Sequence, residues 1–78
     1  TTASWGRALD MLDFQLAMAP GDGPLLLERA EFWLRLGALD AARATLQQAL
    51  AAAEEGSEFQ SLVRAQLAAI ANQHNTLH

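Results

Sequence analysis

The chain is expected to be all-α, with four helices arranged as antiparallel hairpins. Three observations lead there. Of its 78 residues, seventeen are alanine, and leucine supplies most of the remaining apolar bulk; both are strong helix formers. Val63 and Ile70 are the only β-branched aliphatics, too few to build strands. Apolar residues then recur at spacings of three and four between sharp breaks, the periodicity of a helix with one buried face.

The breaks divide the chain. "APGDGP" at Ala19–Pro24 holds two prolines and two glycines and reads as a loop. Gly37 reads as a helix stop in the left-handed conformation. "EEGS" at Glu54–Ser57 is the third break. Helices are expected over about 4–18, 24–36, 39–54 and 57–73. The first is expected to bury Trp5, Ala8, Leu9, Leu12, Leu16 and Met11, and the second Leu26, Ala30, Trp33 and Leu34. Pro24 suits a first turn, with Asp22 or Gly23 at the cap. The third presents Leu39, Ala42, Leu46, Ala49 and Leu50. The fourth opens on a capping box, Ser57 and Gln60, and presents Phe59, Leu62, Val63, Leu67 and Ile70. Linkers this short make consecutive helices antiparallel neighbours.

Composition narrows the function. A net charge of −4 lacks the basic stripe of a nucleic-acid binder. All five cations are arginine, and cysteine is absent, so no disulfide framework forms. No apolar run approaches the length of a membrane span and no leader pattern opens the chain; a cytoplasmic location is the expectation. A chain this short buries only about 60–65% of its unfolded surface. Residues 1–78 are expected to form a single domain, or a piece of a longer chain, or a unit that pairs with itself.

The chain also repeats. Slid by 34 residues, Trp5 falls on Leu39, Ala8 on Ala42, Leu12 on Leu46, Leu16 on Leu50 and Ala19 on Ala53. The fourth segment matches the second at a shift of about 37: Leu25 on Leu62, Leu26 on Val63, Ala30 on Leu67, Trp33 on Ile70. A helix–turn–helix unit of this period is a repeat signature. Between Gly23 and Glu54, the residues Leu26, Ala30, Trp33, Gly37, Ala42, Leu46 and Ala49 match the tetratricopeptide repeat family in type and spacing, and the chain resembles that family. Arg29 stands where leucine is usual, Gln15 where a small residue is, and Glu54 where proline closes a repeat. The resemblance covers about one and a half repeats plus a closing helix. That combination is also loosely similar to the C-terminal tail of bacterial transglutaminase-like proteins.

The resemblance implies hairpins stacked in a right-handed superhelix whose first helices line a peptide-binding groove. Carried onto this sequence, the groove positions are Leu27, Glu28, Glu31, Leu34 and Arg35. Family members that clamp an acidic tail use basic and amide side chains there; only Arg35 qualifies, so an apolar or basic segment is the implied partner. Phe14 and Phe32 fall off the main apolar stripes and are interface candidates. Arg29 is expected to bury its stem and pair with Asp13 or Glu28.

No chemistry of a catalyst is legible. Asp10 with Asp13, and Glu54 with Glu55 and Glu58, read as solvated faces, and Ser57 is better used as a cap. His74 and His78 have ligand spacing on a helix but no third ligand nearby, so neither metal nor cofactor is expected. The reading is therefore a non-catalytic protein–protein interaction module. The alternatives are a homodimerisation module, in which the first helix buries its stripe against a twin, and an accessory C-terminal domain of a larger enzyme.

Overall fold

The computed structural model describes residues 2–75, with side chains for residues 6–72. Four helices follow one another: α1 (Thr2–Met18), α2 (Gly23–Arg35), α3 (Leu39–Ala52) and α4 (Glu58–Asn75). No strand occurs among the described residues. The substantial helix pairs are α1 with α2, α2 with α3, and α3 with α4. The fold spans 34 × 32 × 15 Å. Its short dimension fits two layers of helices, α1 and α3 in one and α2 and α4 in the other.

Local chemistry fixes each helix end. At α2, the Asp22 carboxylate accepts a hydrogen bond from the Leu25 N–H at 3.1 Å, and Pro24 lies in the first turn, where its missing N–H costs nothing. Its other end is a Schellman turn. The Ala38 N–H reaches back to the Trp33 carbonyl and the Gly37 N–H to that of Leu34. Gly37 takes φ of 77° there, where any side chain would be strained. At α4 the Gln60 N–H donates to Ser57 Oγ at 3.1 Å, and Gln60 Oε1 accepts from the Gly56 N–H at 2.8 Å. This is a capping box displaced by one residue, since Ser57 spends its own N–H on the Glu54 carbonyl.

The core is a continuous cluster of Leu16, Leu26, Ala30, Ala42, Leu46, Ala49, Val63 and Ile70. Small residues make the close approaches. Ala30, Ala42 and Ala49 are fully buried, and Leu46 and Val63 are the largest side chains sealed from water. Trp33, Leu34, Leu50, Phe59 and Leu67 close the edges, each half-buried. The starts of α2 and α4 lie side by side: a Cβ on Gly23 would sit 2.8 Å from the Phe59 ring.

Two expected core positions are corrected. Met11 is 64% exposed and Leu62 46% exposed. Met11 lies about 100° around α1 from Leu12, beyond the arc that one packing helix covers; Leu62 is likewise rotated off the seam that buries Val63. Ala8 and Leu9 are half-buried. The Trp5, His74 and His78 side chains, on which part of the sequence reading fell, lie outside the described residues.

Candidate functional site

One turn after another of α2 builds a groove. Pro24, Glu28, Glu31, Phe32 and Arg35 share a face of the helix at spacings of four, three, one and three, and line a depression of about 400 Å³. The helix ends on this face in Arg35, whose charge complements the C-terminal end of the dipole. Glu28 and Glu31 are exposed, Phe32 half-buried, and both Phe32 and Arg35 hold further partners within the chain. The depression is net acidic, and Pro24 and Phe32 supply its apolar lining.

The seven candidate residues divide among three places. Glu28, Glu31, Phe32 and Arg35 come together in this groove. Leu27 and Leu34 turn toward the hydrophobic cluster and are half-buried against it. Phe14 stands apart on α1, 69% exposed.

A second cleft, of about 600 Å³, was not anticipated from the sequence. It lies where α1, α2 and α3 meet, floored by the buried Leu16 and Leu26 and walled by Ala17, Ala51 and Ala52. The only sequence signal for it is the run of small side chains ending α3, which leaves the space between helices unfilled. An ion pair crosses its edge: Arg29 Nη1 lies 3.2 Å from Asp13 Oδ1. The Arg29 guanidinium also stands 5.8 Å from the centre of the Trp33 ring, within cation–π range. Its Nε is buried without a hydrogen-bond partner. Arg29 is thus a structural brace between α1 and α2, with Asp13 as the partner and not Glu28.

The groove carboxylates are open to water, which denies them the shielding that general acid–base work needs. Among the described residues no group of three histidine, cysteine or acidic side chains could hold a metal ion, and no helix is long and apolar enough to cross a membrane.

Comparison with known proteins agrees with this geometry. The family model for the tetratricopeptide repeat matches residues 4–70, most of the chain. None of the curated proteins and none of the solved structures gives a match. Repeats of this family are in general protein–protein interaction modules and non-catalytic scaffolds. With alternating helices in two layers, alanines at the close approaches and Gly37 at the hairpin turn, the chain belongs to the tetratricopeptide repeat family.

Proposed function

We propose that the chain holds a segment of a partner protein in the α2 groove and performs no chemistry of its own. The observation that carries this reading is the meeting of Glu28, Glu31 and Phe32 on one wall of a 400 Å³ depression beside Pro24. Two carboxylates beside an aromatic ring suit a lysine or arginine whose stem lies on the ring while its head meets the acids. The segment is therefore basic and apolar, not an acidic tail. The net charge of −4 favours the same choice and disfavours nucleic acid.

Calorimetric titration with peptides that alternate Lys or Arg with Leu tests the proposal. Binding is expected in the micromolar range, weakening with salt because the charges are exposed. Glu28→Lys with Glu31→Lys is expected to weaken it by at least about tenfold, the scale of losing two charge contacts. Equal affinity for an acidic peptide, or indifference to both substitutions and to Phe32→Ala, overturns the proposal.

A further inference from the structure

Helix α1 is apolar on two distinct sides. Leu12 and Leu16 face the core and are 4% and 7% exposed. About 100–160° around the helix from Leu12, at the helical rotation of about 100° per residue, Met11, Phe14 and Met18 form a stripe that is 64%, 69% and 76% exposed. Arg7 prolongs it by one turn and is also exposed. A helix apolar on both sides belongs in a buried setting, and among the described residues only one side has a substantial neighbour.

The repeat itself does not account for this stripe. At the 34-residue shift, Phe14 and Met18 coincide with Gln48 and Ala52 of α3. Both are exposed, although α3 is packed between α2 and α4. Stacking one more hairpin on α1 in the manner of α2 and α4 on α3 would bury the register of Ala42, Thr45 and Ala49, which in α1 is Ala8, Met11 and Gln15. Phe14 and Met18 lie to one side of that register, at positions the repeat leaves to solvent, while Met11 falls within it.

The spacing of the stripe suits a second copy of the same helix. Arg7, Met11, Phe14 and Met18 are separated by four, three and four residues, a pattern that reads the same in both directions. Two α1 helices placed antiparallel about a two-fold axis set Met11 against Phe14 of the second copy twice over, and Arg7 against Met18 of the second copy. Asp10 then lies on the flank of the seam beside Ala17 of the second copy. A parallel pair would oppose Arg7 to Arg7. Self-complementarity of this kind is the requirement of a two-fold interface, and methionine against an aromatic edge is a favourable, adaptable contact.

We propose that the outer face of α1 is a homodimer interface, with Met11, Phe14 and Met18 at its centre. At about 200 Å² for each large side chain, the three expose about 400 Å² per copy. That is about half of what each partner contributes to a standard interface, the remainder coming from Arg7, Asp10, Gln15 and Ala17 alongside. The dimer is accordingly of micromolar strength and independent of the α2 groove.

Sedimentation equilibrium of this chain between about 10 and about 500 µM spans that strength. A reversible monomer–dimer equilibrium is expected. Phe14→Glu should weaken it by at least about tenfold, with helical circular dichroism unchanged because the side chain is exposed. The chain has no cysteine, so introduced thiols report geometry directly. Oxidation of a mixture of the Met11→Cys and Phe14→Cys proteins should give the mixed disulfide dimer, whereas Leu36→Cys, exposed but on a distant turn, should not. A monomer throughout the range overturns the proposal and leaves the stripe to a helix of another protein or of a longer chain. A dimer that Phe14→Glu and Met18→Glu leave intact, or that yields no Met11–Phe14 cross-link, overturns it in favour of a different face.

Discussion

Leu46→Ala measures how much of this small fold hangs on α3. Leu46 is fully buried at the centre of the cluster, on a helix that packs on two substantial neighbours, α2 and α4. Truncation removes about three methyl or methylene groups, each worth about 0.8 kcal/mol in transfer. It also leaves a cavity that α2 and α4 together hold open, so the total loss is about 3–4 kcal/mol. A 78-residue chain of ordinary stability has roughly 4–12 kcal/mol in all. The variant should therefore unfold at much lower urea concentration, followed by circular dichroism, with Leu46→Val as a milder form at about 1–2 kcal/mol. Leu12 occupies the same repeat register on α1, which has one substantial neighbour instead of two. There the void can collapse, and Leu12→Ala should cost less, about 2 kcal/mol. A Leu46→Ala loss under about 1 kcal/mol, or one no larger than that of Leu12→Ala, would refute the picture of α3 as a helix held between α2 and α4.

Gly37→Ala puts a Cβ on a residue at φ of 77° with open space around it, so the penalty is backbone strain alone, about 1 kcal/mol. The thermal midpoint should fall by about 4–8 °C. Asp22→Ala removes the cap on α2 and should lower stability by about 1 kcal/mol in the same urea assay, while Asp22→Asn retains most of it. Gly23→Ala gains helix propensity but drives a Cβ to 2.8 Å from the Phe59 ring. The overpacking dominates, and the variant should lose about 1 kcal/mol or more, regained when Phe59→Leu is added. Arg29→Leu removes a guanidinium whose Nε has no partner and leaves Asp13 half exposed to water, so denaturation should show stability equal to or above that of the parent; Arg29→Ala, which also forfeits the packed stem over Trp33, should be less stable by about 1 kcal/mol.

What could be read in advance was what the chain decides locally. Pro24, Gly37 and Gly56 mark breaks because φ and N–H constraints act within a few residues, and the Asp22 and Ser57–Gln60 caps follow from side chains that reach only one turn. The groove was partly legible for the same reason, since Glu28, Glu31, Phe32 and Arg35 share one face of one helix. What depends on a second helix is not legible in this way. Leu27 and Leu34 lie on α2 near the groove positions, yet they border the cluster and are half-buried there. The cleft among α1, α2 and α3 arises from residues far apart in the sequence whose side chains are too short to meet. One pair makes the physical reason plain. Met11 and Thr45 occupy the same repeat register, and polarity alone would bury the methionine and expose the threonine. The structure does the reverse: Thr45 is 6% exposed and Met11 64%. Thr45 tolerates burial because its hydroxyl donates to the Ala41 carbonyl at 2.8 Å, so its polarity is satisfied within its own helix and two neighbours can close over it. Met11 meets no such second neighbour. Burial on these helices is set by how many others pack against each, and hydropathy enters only after that number is fixed.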